Sequence, residues 1–136
     1  MSLALRTRRN RLLAMRADID GAGGGALWLL DGDMAPNPET APANAPVCIV
    51  TLASVSFEMH ATDAQMDLVP AVGNAARAGQ PTWGRYVDGD GVAVYDCPAG
   101  PPGSGAEIIV TDGLDPPSAM MYTGGVVTVT HTITEP

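Results

Sequence analysis

The clearest pattern in the chain is period-two alternation over Gly125 to Thr134. Val127, Val129, His131 and Ile133 fall on one face, and Val126, Thr128, Thr130 and Thr132 on the other. That is the signature of a half-buried strand. Shorter runs repeat the theme. Ala26–Leu30 is an apolar run closed by Asp31-Gly32-Asp33, and Val47–Leu52 and Ala106–Thr111 are strand-like. Between Val55 and His60, Val55, Phe57 and Met59 alternate with polar residues, and Gln65–Val72 has room for a short strand. Thr82–Val87 and Val92–Tyr95 flank Asp88-Gly89-Asp90-Gly91. Asp-Gly supplies the positive φ of a tight turn, so this is the strongest hairpin signal. Residues 34–46 hold four prolines and neither period, and read as a long loop. Residues 97–105 read as a second Pro/Gly loop, and 112–117 as a turn.

One segment breaks the strand pattern. Residues 3–20 lack Gly and Pro and are rich in helix formers. Leu5, Leu12, Met15 and Ile19 cluster at helical spacing, but Arg8, Arg9 and Arg16 intrude on the same face. A helix that folds against a partner, or a partly ordered arm, suits such poor amphipathicity. The domain organisation expected is a basic arm over 1–20, a flexible Gly-rich hinge over 21–25, and a β domain over 26–136. The class predicted is all-β, a sandwich or barrel of seven or eight strands with an N-terminal helix or arm.

Composition sharpens this picture at two points. Aromatics are few, with two Trp, three Tyr and one Phe, so the core rests on aliphatic residues. Charge is sharply divided. Five of seven Arg residues precede Asp18, giving the first 17 residues about +5; residues 18–136 carry two Arg against fifteen acids, about −13. A basic arm on an acidic body can reach for an acidic partner, can fold back on its own body, or can neutralise phosphates. An acidic groove on a protein is favoured over nucleic acid, because the arm lacks stacking aromatics and the body repels a polyanion. No apolar run reaches the length of an export signal or a membrane span. Cys48 and Cys97 are then expected as free buried thiols.

Candidate chemistry is sparse. Asp88-Gly89-Asp90-Gly91 lacks the alternating acids and terminal Glu of a calcium loop, since Val92 and Ala99 occupy the decisive positions. His60 and His131 have no partner at metal-ligand spacing, and two cysteines without a matching His pair are expected to make no zinc site. His131 is expected as a hydrogen-bonded core histidine. No strained nucleophile motif is present. No cofactor, metal or catalytic residue is assigned, and the chain is not expected to be an enzyme. Trp83, Arg85 and Val87 share one face and Tyr86 takes the other. Trp83, Arg85 and Tyr86 are a possible interface; equally, Trp83 is a core residue with Arg85 stacked at its rim.

At this hairpin the chain resembles a known family. Pro81 through Gly91, with its Trp, Arg, aromatic and Val-Asp-x-Asp-Gly order, is similar to a run in the capsid cement (decoration) proteins of tailed bacteriophages, of the Bordetella podophage type. The basic start from Leu5 to Gly21, the segment Leu27–Gly32 and the closing Val126–Glu135 are similar too. The resemblance implies a jelly-roll sandwich on the outer capsid surface of the virion, made in the host cytoplasm. It implies two partners: an HK97-like major capsid protein, and a second copy in a homodimer, with no membrane involved. In this reading the arm residues Leu5, Arg6, Arg8, Arg9, Arg11, Leu12, Arg16 and Ile19 order on the capsid, Arg forks pairing with carboxylates. The alternative is a carbohydrate- or receptor-binding β-sandwich of a tail appendage, which clustered exposed Trp28, Trp83 and Tyr86 would favour.

Overall fold

The computed structural model describes residues 3–114, 118 and 120–135. One helix, α1 (Leu5–Asp20), precedes nine strands: β1 (Ala26–Leu30), β2 (Cys48–Thr51), β3 (Phe57–Met59), β4 (Gln65–Leu68), β5 (Ala71–Asn74), β6 (Trp83–Val87), β7 (Ala93–Gly100), β8 (Ile108–Thr111) and β9 (Val126–Thr134). Among the described residues no helix is long and apolar enough to cross a membrane.

The strands form one hydrogen-bonded path in the order β2-β1-β6-β7-β8-β9-β4-β3, with β5 added on β9. The nine-residue β9 is the spine. Its residues Val126–Val129 pair with β5, Thr128–His131 pair with β8, and Thr132–Thr134 pair with β4. The path then curls back on itself. Cys48 of β2 bridges Ala75, just past β5, and the Ala76 N–H donates to the Val47 carbonyl at 2.7 Å. Every ladder is antiparallel except β7 with β8, which is parallel and only two residue pairs long, Ala99–Ile108 and Gly100–Ile109. The all-β class with an N-terminal helix holds. The path does not establish a two-sheet jelly roll, because hydrogen bonding runs continuously through all nine strands.

Alternation decides the core. β9 buries Val127, Val129, His131 and Ile133 and turns its threonines outward, as its pattern requires. Leu27, Leu29, Val50, Phe57, Met66, Tyr86, Ile108 and Val110 complete the interior. Each fully buried aliphatic side chain stabilises the fold by roughly 1.5–3 kcal/mol.

Two expectations change. The loop expected over 97–105 begins late, because β7 runs on to Gly100 through Pro98. The Ala99 N–H donates to the Thr82 carbonyl beside β6, so the Pro98 nitrogen faces the other way, where β8 pairs only from Ala99 onward. The missing donor therefore costs no ladder bond. Gln65–Val72 divides at Val69-Pro70 into β4 and β5. The turn expected over 112–117 is described only to residue 114, where Asp112 accepts the N–H groups of Leu114 and Ser118; residues 115–117 lie outside the described residues.

The hinge is a fitted connector. A Cβ on Gly25 would stand 2.4 Å from the Ile19 carbonyl oxygen and 2.7 Å from that of Val87. A Cβ on Gly89 would stand 1.9 Å from the Ala22 oxygen. Backbone-to-backbone approach of this kind admits only glycine. The Gly89 N–H donates to the Gly21 carbonyl at 2.9 Å, locking the connector to the β6–β7 turn.

Candidate functional site

The N-terminal segment is not a free arm. Leu12 and Ile19 are fully buried in the core, with Met15 packed against it. The arginines that spoil the helix's amphipathic pattern reach past the contact to backbone carbonyls. Arg9 donates to the carbonyls of His60 and Asp63, both at 2.7 Å, and Arg16 to that of Phe57 at 3.2 Å. Arg8 reaches the Glu135 carbonyl at 3.4 Å, and Arg11 pairs with the Glu135 carboxylate at 3.0 Å. Asp20 accepts the Ser56 N–H at 3.1 Å. These carbonyls sit at strand ends and need donors, while the arginine stems can lie along apolar surface. The expectation of a partner-seeking arm is thus corrected for Arg8, Arg9, Leu12, Arg16 and Ile19, which serve the protein's own body, whereas Arg11, though paired with Glu135, keeps its side chain 58% exposed. Leu5 and Arg6 stay exposed.

Trp83, Arg85 and Tyr86 are also corrected as an interface, since all three are at most 3% exposed. They occupy opposite faces of β6. On the outer face the Arg85 guanidinium grips its cross-strand neighbour Asp96 with two bonds, 2.8 Å and 2.9 Å, and lies 5.4 Å over the Trp83 ring. The loop over 34–46 covers them, and its Asn37 carbonyl accepts from Arg85 at 3.3 Å. Beside this pair opens a cleft of about 490 Å³, bordered by Trp28, Pro38, Glu39 and Pro42. The cluster of exposed Trp28, Trp83 and Tyr86 that would mark a sugar site is not formed.

On the inner face, Tyr86 Oη lies 2.7 Å from His131 Nδ1, with the two rings stacked. His131 is the hydrogen-bonded core histidine expected. Around it the fold gathers groups with no sequence proximity. The ligating atoms of Cys97, Glu107 and His131 all lie within 4.8 Å of one another. The Tyr95 hydroxyl donates to Glu107 Oε2 at 2.8 Å, and His131 Nε2 is 3.6 Å from the same oxygen. Among the described residues His131 Nε2 has no hydrogen-bond partner. Burial lowers His131 to about 4, against the opposing pull of Glu107, so the imidazole is neutral near pH 7. Burial likewise pushes up the Cys97 thiol and the Tyr86 hydroxyl. Both cysteines are free and buried, as expected.

The remaining candidates are structural. Asp88 Oδ1 accepts the N–H groups of Asp90 and Val92, which is turn chemistry. His60 pairs with Asp67 at 2.9 Å on the surface, where Thr132 also bonds Asp67.

A feature unseen in the sequence lies outside β2, β5 and β9. Ile49, Val72 and Val126 are 53%, 64% and 52% exposed. They sit on adjacent strands among Thr51, Asn74 and Thr128, in the register Asn74–Val126 and Val72–Thr128. Trp28 faces Ile49 across β1–β2, and Met120 and Tyr122 adjoin Val126. None of these nine residues carries a charge, although Asp112 borders the same hollow as Met120, Tyr122 and Val126. Ile49 stands inside the unbroken apolar run Val47–Val50, where periodicity cannot separate inward from outward positions.

Compared with known proteins, the chain matches no family model, no curated protein and no solved structure.

Proposed function

We propose that the chain is a structural binding protein of a virion, cementing neighbouring major capsid protein subunits on the outer surface of an icosahedral phage head as a homodimer. The observation that carries this reading is the uncharged apolar face of β2, β5 and β9. A contiguous apolar surface on a rigid body marks an interaction site. The chain has a net charge of −8, so two copies repel at most orientations. Two faces built mainly of uncharged residues, with Asp112 at the Val126 edge, meet at a smaller penalty, and an isologous dimer needs only one such patch. Because Arg8, Arg9 and Arg16 are engaged internally, attachment rests mainly on the β body, and its salt dependence is weak.

The test is co-sedimentation with phage heads stripped of the protein, alongside the mass of the free protein by light scattering. The full chain is expected to be dimeric and to pellet at saturable, stoichiometric occupancy. Val72→Asp and Ile49→Asp place carboxylates on exposed positions that the fold tolerates, and are expected to yield monomers that pellet at least ~10-fold less well, as burying an unpaired charge at an interface demands. A wild-type protein that never pellets removes the cement reading. A monomeric wild type that pellets assigns the face to the capsid instead.

A further inference from the structure

We propose that Cys97, Glu107 and His131 form a binding site for a divalent cation of the zinc class, clasping the seam where β7 meets β8. The donor set is one thiol, one imidazole and one carboxylate, a mixture that suits zinc and excludes the all-oxygen preference of calcium or magnesium. With the thiolate and the carboxylate, a dipositive ion makes a centre of zero net charge, which is what a buried site requires.

Geometry supports the same assignment. Zinc bonds of about 2.0–2.3 Å place tetrahedral donors roughly 3.3–3.8 Å apart, and here the three lie within 4.8 Å. The Glu107–His131 separation of 3.6 Å already falls in that range, so the contraction needed lies in the separations from Cys97, with Glu107, half exposed, free to follow. His131 Nε2 is the buried, unpartnered atom aimed at this cluster. Ligation through Nε2 puts the proton on Nδ1, and the Tyr86 oxygen at 2.7 Å is placed to accept it. A histidine ligand anchored through its second nitrogen is the arrangement metal sites use. The Tyr95 hydroxyl steadies Glu107 in the same way. A pocket of about 290 Å³ bordered by Tyr95, Glu107 and Thr132 opens to solvent on the Glu107 side of the cluster. Binding releases the thiol proton of Cys97 to solvent.

The site also falls where the sheet is weakest. Only two residue pairs join β7 to β8. Cys97 belongs to β7, Glu107 leads into β8 and His131 lies on β9. One ion would tie all three.

The experiment is titration of the reduced, full-length protein with Co²⁺ and then Zn²⁺, followed by absorption and by thermal unfolding. One equivalent of Co²⁺ is expected to give thiolate-to-cobalt charge transfer and the intense visible bands of a tetrahedral ion, both bleached by Zn²⁺. Zn²⁺ at about 100 times its Kd is expected to raise Tm on the order of 5–10 °C. Cys97→Ser should abolish the charge-transfer band. Glu107→Gln, at a half-exposed position and able to keep its bond to Tyr95, should fold normally and bind at least ~10-fold more weakly. Absence of saturable binding overturns the proposal. So does a weak octahedral cobalt spectrum without thiolate character that His60→Ala removes, which would place the ion on the surface pair of His60 and Asp67. Unchanged affinity in Glu107→Gln also overturns it.

Discussion

Arg85 and Tyr86 are consecutive residues of β6 that enter opposite faces of one strand, and their surroundings differ in kind. Outside, Arg85 meets Asp96 through two bonds, stacks on Trp83 and is roofed by the long loop. Inside, Tyr86 meets a neutral histidine through one bond, and the far nitrogen of that histidine has no partner among the described residues. A buried full charge must be completed where it stands, or the fold loses several kcal/mol. A buried neutral group tolerates spare bonding capacity at lower cost. Spare capacity is what a ligand can use. The Arg85–Asp96 pair is therefore finished structure, although Trp83 Nε1 beside it is also buried without a partner among the described residues, and the Tyr86–His131 cluster is where binding chemistry can be sought.

The largest effect that can break this comparison is at Asp96. Asp96→Ala strands the Arg85 guanidinium under the loop and is expected to cost about 3–5 kcal/mol in urea unfolding. Replacing both partners, Arg85→Met with Asp96→Leu, is expected to recover most of that loss, because an apolar pair of similar volume removes the uncompensated charge. A cost below about 1 kcal/mol for Asp96→Ala would mean that the pair is wetted through the adjoining cleft, and the contrast between the faces would collapse.

The inner face predicts less. Tyr86→Phe keeps the ring stacked between Tyr95 and His131 and removes only the hydroxyl. It leaves His131 with both nitrogens unpaired and is expected to cost about 1–3 kcal/mol. Nitrogen NMR of His131 should register the loss as a mixed tautomer where the wild type holds one. A single unchanged tautomer would show that Tyr86 does not orient the ring.

Much of this was legible in the chain, and the rest has a physical reason for being hidden. β9 and the β6–β7 hairpin follow from period-two alternation and an Asp-Gly turn, both local signals. The helix is equally legible, since residues 5–20 lack breakers. Its destination is not. Charge counting sends Arg9 and Arg16 toward an acidic partner, whereas their acceptors are the carbonyls of His60, Asp63 and Phe57, and a carbonyl has no sequence signature. Alternation gave the directions of Trp83 and Arg85 correctly, but the loop that covers them is ordered by tertiary contact. The grouping of Cys97, Glu107 and His131 depends on a parallel β7–β8 pairing, which no local turn announces.

The smallest expected effect tests the roof of the outer face. Asp31 accepts from both terminal nitrogens of Arg77, at 2.6 Å and 2.8 Å, and Arg77 also bonds the Ala45 carbonyl at 2.6 Å. The two ends of the long loop are thereby clamped together. The Arg77 hydrogen bonds hold the Asp31 carboxyl below its usual range, with Asn44 adding to them. A carboxyl lowered in the folded state stabilises it fully above the unfolded pKa of about 3.9, and that contribution is lost as pH falls through the lower folded value. Asp31→Asn is therefore expected to be slightly less stable than wild type at pH 7. The two proteins should converge as the pH drops well below 3.9. The difference is small because both partners are partly exposed. A deficit that persists undiminished in acid would assign the clamp to shape rather than charge. The outer face would then owe its closure to the prolines of the loop, and the Arg85–Asp96 pair would stay covered at any pH the fold survives.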